Sequence, residues 1–180
     1  GDMHMLNYRA DLFEDPANKE AFKAKYGYDL AAPVTRAQYY DIAEFFNQPD
    51  KGLNGTAEAY KRGGQQFWYF FSHAASYANN PNNPGSMFFD PETMDAQINN
   101  PGWLKALEDY KKGLDFNPPG SLNNGSGDVR PLYAGGKVAM NIDWADSGVL
   151  GATEGSIKGN VRTAVLPGST EIWNHKTKAW

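Results

Sequence analysis

Two carboxylates, Asp143 and Asp146, flank Trp144 just past an alternating segment at residues 137–143. Paired carboxylates are what glycoside hydrolysis requires, and a ring with a polar edge is what a sugar or polyol lies against. The histidines, His4, His73 and His175, are far apart, with no pair four residues apart and no glutamate in register. They read as surface or capping residues, and no metal site is expected. No cysteine is present, which removes thiolate nucleophiles, iron–sulfur ligation and disulfides. Asn124-Gly125-Ser126-Gly127 is not the Gly-x-Ser-x-Gly elbow of serine hydrolases, and Gly63-Gly64 and Gly135-Gly136 are turn or cap signals without a phosphate loop. What remains is aromatic surface: 5 Trp, 10 Tyr and 10 Phe, 14% of the chain, more than a core of this size calls for. Trp144, at a strand end between acids, and Trp68, near a helix start, are the rings with a ligand-facing reading. Most of the others fall in helical stripes that predict burial.

The elements that must position these groups follow from local patterning. The 180 residues, 41% hydrophobic and 21% charged, suit one domain or one lobe with a real core. The net charge of −4 opposes a phosphate backbone or an anionic bilayer, so no nucleic-acid partner is expected. No apolar run reaches the ~18 residues of a membrane span. The start, Gly1-Asp2-Met3-His4, is not a signal peptide, so the signal of an exported protein would lie outside this sequence.

Met3 to Arg9 alternates and predicts a strand. Asp15-Pro16 caps and opens a helix that Gly27 stops. Thr35-Arg36-Ala37-Gln38 is a capping box, followed by Tyr39, Ile42, Ala43 and Phe46 on one helix face. Pro49-Asp50-Lys51-Gly52 ends that helix, and residues 53–57 predict a short strand. A helix at 65–78 carries Phe67, Phe70, Phe71, Ala74 and Tyr77 or Ala78 as its apolar stripe, with Trp68 at the edge. Residues 79–85 are a loop and 87–90 a brief extended piece. A helix at 101–114 puts Trp103, Leu104, Leu107, Tyr110 and Leu114 on one side. Residues 115–127 are rich in Pro, Gly, Ser and Asn and predict a mobile segment. A short helix at 128–134, strands at 137–143 and 161–166, and a hairpin at 171–180 complete the reading. The sum is an α/β chain with several helices around a short-stranded mixed sheet.

Four segments, in order, resemble the bacterial extracellular solute-binding proteins of the carbohydrate-uptake type. Leu6-Asn7-Tyr8-Arg9-Ala10-Asp11-Leu12-Phe13-Glu14-Asp15-Pro16 is similar to their YY-(R/N)-x-D-L-F segment. Ala32-Pro33-Val34-Thr35, continuing through Tyr39-Tyr40-Asp41-Ile42-Ala43, is similar to their P-x-T-W-x-E-F stretch, with Arg36 where the tryptophan usually stands. Gly135-Gly136-Lys137-Val138-Ala139-Met140-Asn141-Ile142-Asp143-Trp144 is similar to their F-x-x-G-K-A-A-M…W segment, though the phenylalanine is absent and Tyr133 stands two residues before Gly135-Gly136, and Val165-Leu166-Pro167-Gly168 is similar to their x-x-P-x-P-G return strand.

The resemblance implies one lobe, residues 1–180, of a type II periplasmic-binding-protein fold, the second of two lobes that clamp a ligand. It implies a non-enzymatic substrate-binding component of an ABC importer that captures a sugar or polyol without a cofactor and delivers it to a membrane permease. It implies a periplasmic or lipid-anchored extracellular location. By position it assigns Asp2 and His4 to the hinge-proximal stretch and Trp144 to stacking on the ligand, with Asn141 and Asp143 reaching hydroxyls. Trp68 joins this set from its place on the helix. The alternatives are a carbohydrate-active enzyme using Asp143 or Asp146 as acid or base, and a protein-interaction module with an aromatic face.

Overall fold

A computed structural model describes residues 3–180. Strand β1, His4–Arg9, leads through a single turn, α1 (Ala10–Phe13), into α2 (Pro16–Tyr26) and α3 (Arg36–Phe46). Strand β2 (Asn54–Ala57) is followed by the long helices α4 (Gln66–Ala78) and α5 (Pro101–Gly113). Then come α6 (Ser126–Ala134), β3 (Val138–Trp144), α7 (Ala145–Thr153) and β4 (Val161–Ala164). The sheet order is β2-β3-β1-β4. β2 runs parallel to β3, while β1 runs antiparallel to both its neighbours, with His4 opposite Trp144 and Leu6 opposite Ala164.

The local signals act as read. The Asp15 carboxylate accepts from the Ala17 amide at 2.7 Å, Pro16 takes the first helical position, and Gly27 closes α2 at φ 81°. Thr35 and Gln38 make both bonds of the capping box ahead of α3. α2 and α3 then cover one face of the sheet, where Phe22, Tyr39, Ile42 and Phe46 pack on Leu6, Met140 and Ile142. Tyr69, Tyr110, Val129, Tyr133 and Val138 form a second cluster, and α4 meets α5 around Ala74, Tyr77, Trp103 and Ala106.

Several expectations are corrected. The inward line of α4 is Tyr69, His73, Ala74, Tyr77 and Ala78; Phe67 and Trp68 are 43% and 46% exposed. On α5 the buried side is Trp103, Ala106, Asp109, Tyr110 and Gly113, while Leu104 and Leu107 stand 59% and 51% exposed. Small residues decide that face: a Cβ on Gly102 would lie 2.8 Å from the Tyr77 carbonyl oxygen, and one on Gly113 would collide with the Tyr60 hydroxyl. Close approach outweighs the leucine stripe. Residues 115–127 hold two 3-10 turns, and Asn117 and Ser121 among them are buried. Helix α7 is absent from the sequence reading because its glycines lower helix propensity; Gly148 is needed there, since a side chain would strike the Asn7 amide oxygen. Around residues 87–90 only Phe89 bridges, to Ala96, and the expected C-terminal hairpin is a single bridge between Asn174 and Ala179.

His73 and His175 are also not on the surface; both are buried. His73 belongs to a polar network at the end of β2. Its Nε2 donates to Glu58 Oε2 at 2.8 Å, and Tyr39 donates its hydroxyl to Glu58 Oε1 at 2.9 Å. The Glu58 amide donates to Asn117 Oδ1 at 2.9 Å. Arg36, equally buried, donates to the Ser72 carbonyl at 2.6 Å and to Ser76 Oγ at 3.2 Å. Burial pushes the Glu58 carboxyl up, but His73 and Arg36 outweigh it and hold it below its ordinary range. Burial, with Arg36 assisting, holds His73 below its ordinary range, so the imidazole is the neutral donor. The sign of the linkage follows. An unfolded His73 takes a proton as the pH falls through ~6.5 while the native one resists, so stability is lost on acidification through that window. Urea midpoints at about pH 7.5 and pH 5.5 should show wild type losing more than His73→Asn does, the variant correcting for the other two histidines.

Candidate ligand-binding site

A cavity of about 1110 Å³ opens at the edge where β1 begins and β3 ends. The antiparallel register sets His4 beside Trp144 there. One helix face of α4 supplies Trp68, Phe71, Ser72 and Ala75, spaced to lie along a single stripe. α4 therefore has two working faces, one toward α5 and the core and one toward the cavity. Met87 and Phe88 come from the loop beyond α4, Ser126 and Arg130 from α6, and Leu166 follows β4.

The polar contacts are ordered. His4 Nδ1 and Ser72 Oγ are 2.8 Å apart, and the Ser72 hydroxyl also reaches the Trp68 carbonyl at 3.1 Å. The His4 ring meets Trp144 edge-on at 4.3 Å and Tyr69 at 4.9 Å between centroids. Gln65 caps α4 with a left-handed backbone, φ 70°, and its Oε1 accepts from Ser126 Oγ at 2.7 Å. That solvent-exposed bond links the start of α4 to the start of α6. A non-glycine residue held at positive φ stores conformational strain at the rim of the cavity.

Arg130 is the cation on this wall. Its Nη2 donates to Asp146 Oδ1 at 3.0 Å, its Nε lies 3.5 Å from Asp143 Oδ2, and its guanidinium sits 5.9 Å from the Trp144 ring centre. Asp143 is fully buried and takes the Trp144 amide proton at 2.7 Å. Burial pushes the Asp143 carboxyl up, with Arg130 and the Trp144 amide resisting. Burial disfavours charge on Arg130 too, but Asp143 and Asp146 overcome it and hold the guanidinium above its ordinary value. The two carboxylates thus converge on one cation; they do not face each other across a space.

Of the residues singled out in the sequence, His4, Trp68 and Trp144 come together on the cavity wall. Trp68 offers the more open ring, beside Phe67 and Phe71, while Trp144 is half-buried among His4, Tyr69 and Arg130. Asp143 lies behind the wall, acting on it through Arg130. Asn141 is fully buried and donates to Ser147 Oγ at 3.1 Å under α7, away from the cavity. Asp2 lies outside the described residues. Arg130, Gln65, Ser126 and Phe71 are cavity residues that sequence reasoning missed. Only for Phe71 was there a signal, its spacing of three from Trp68. Among the described residues no group of three or more histidines, aspartates or glutamates is placed to hold a metal ion, and no helix is long and apolar enough to cross a membrane.

The four-stranded mixed sheet with its flanking helices matches part of the fold of solved solute-binding proteins of ABC transporters. Such a protein from Agrobacterium vitis S4, solved with bound D-mannitol, aligns with a TM-score of 0.72 at 25% identity over 94% of this chain and 37% of its own. Another, from Agrobacterium radiobacter K84 in complex with ribitol, gives 0.72 at 19% identity over 94% of this chain and 38% of its own. In sequence, a mannitol-binding protein of Pseudomonas aeruginosa PAO1 is 28% identical over 146 residues, 81% of this chain and 29% of that protein. The chain therefore spans less than a third of that relative and under two-fifths of these two structures. No protein-family model matches it. These relatives are named as binding proteins and not as enzymes.

Proposed function

We propose that this chain is one lobe of the substrate-binding component of an ABC importer, which captures a sugar or polyol without chemical conversion. The single observation that carries the reading is the pairing on one cavity wall of an exposed aromatic ring, Trp68, edged by Phe71, with hydrogen-bonding groups at Ser126 and Arg130. Ring faces cover C–H groups while the polar atoms satisfy hydroxyls, whose mispairing in a closed cleft would be costly. A second lobe completes the cleft, and hinge closure excludes water. The loaded protein then meets a membrane permease from the periplasmic or outer side. The mannitol- and ribitol-bound relatives support a polyol as ligand.

Calorimetry with D-mannitol, ribitol and maltose tests this. The full-length protein should bind at least one of them. The 180 residues alone should bind at roughly millimolar strength or not at all, because half the contacts and the water exclusion are gone. Tight binding by this chain alone would contradict the two-lobed clamp. In the full-length protein, Trp68→Ala should weaken binding by about 1–2 kcal/mol, roughly 5- to 30-fold, by removing the stacking surface.

A further inference from the structure

Arginine in a ligand cavity ordinarily serves as a carboxylate receptor, because its planar N–H fork matches two oxygens. Arg130 is not available for that role. Asp146 takes its Nη2 at 3.0 Å and Asp143 faces its Nε at 3.5 Å, so two carboxylates already oppose one guanidinium. Among the described lining residues there is no lysine and no other arginine to receive an anion. His4 is engaged with the Ser72 hydroxyl. The N–H groups of Arg130 that Asp146 does not take remain donors, and a neutral hydroxyl oxygen can accept from them without adding charge.

We propose that the Asp143–Arg130–Asp146 clamp makes this cavity select uncharged polyhydroxyl ligands and reject sugar acids of the same shape. This deepens the binding reading above and rests on it. A ligand carboxylate approaching Arg130 would be a third anion around one cation, and would have to displace Asp146 or bear its repulsion. The pairing thus turns a potential anion site into a hydroxyl donor held against the Trp144 ring.

The test is calorimetry on the full-length protein with matched pairs: D-mannitol against D-mannonate, and D-glucose against D-glucuronate. Each pair differs in replacing one terminal CH₂OH by a carboxylate. The neutral member should bind at least about tenfold more tightly. Asp146 is exposed in the first turn of α7, so Asp146→Asn leaves the core untouched. That variant removes one of the two negative charges opposing Arg130 and should narrow the neutral-to-acid ratio at least about threefold, an effect a merely structural role would not produce. An acid binding as tightly as its neutral partner, or a ratio unmoved by Asp146→Asn, overturns the selection mechanism while leaving the binding reading intact. Failure of the neutral members, along with ribitol and maltose, to bind at all overturns both.

Discussion

Glu58→Ala is expected to lower the unfolding free energy by about 3–5 kcal/mol, the range for removing one partner of a buried charged network. The side chain is fully buried and accepts from both His73 and Tyr39, with Arg36 as the nearby compensating charge. Alanine leaves an imidazole N–H without its acceptor, a phenol with only the Thr56 hydroxyl as partner and a guanidinium without its counter-charge. Urea unfolding followed by tryptophan fluorescence checks it. Glu58→Gln keeps one acceptor oxygen for His73 and places an NH2 that can donate to the Tyr39 hydroxyl, so it should cost less than alanine. Equal losses for the two variants would show that the network matters through volume and not through its bonds.

Gly55→Ala should be nearly as damaging, about 3 kcal/mol, at the upper end of the overpacking range. Gly55 lies in the buried strand β2, where a Cβ would fall on the Ala43 carbonyl oxygen of α3, well inside van der Waals contact. The obstacle is backbone in a helix that also carries Tyr39, Ile42 and Phe46 into the core, so it yields only by moving α3 off the sheet. A drop in melting temperature of about 6–12 degrees in a thermal scan is the expected reading. A change within two degrees would mean that α3 and β2 are packed more loosely than their contact requires.

The parts legible in the sequence are those whose causes are local. Asp15-Pro16, Thr35 with Gln38, and Gly27 each act on backbone groups within a few residues, so their caps can be read directly. Which face of a helix is buried is a different matter. Leu104 and Leu107 have the right spacing for a core stripe, yet Gly102 and Gly113 let the neighbouring chain approach on the other side. Those neighbours, Tyr77 and Tyr60, lie far off along the chain. The cavity divides the same way. His4, Trp68 and Trp144 could be singled out by residue type and position, but the clamp on Arg130 could not. It arises because α6 packs across β3 and the start of α7, which brings Arg130 to acids 13 and 16 positions further along.

β1 occupies an inner position in the sheet although it is the earliest described element, and both its neighbours come late: His4 pairs with Trp144 and Leu6 with Ala164. During translation, at ~5–20 residues per second, on the order of ten seconds pass before the ribosome has made β3. Throughout that interval both hydrogen-bonding edges of β1 are unpaired on the nascent chain. An early inner strand whose partners lie far along the chain gives this sheet a high contact order, so it closes only once the segment through β4 has been made.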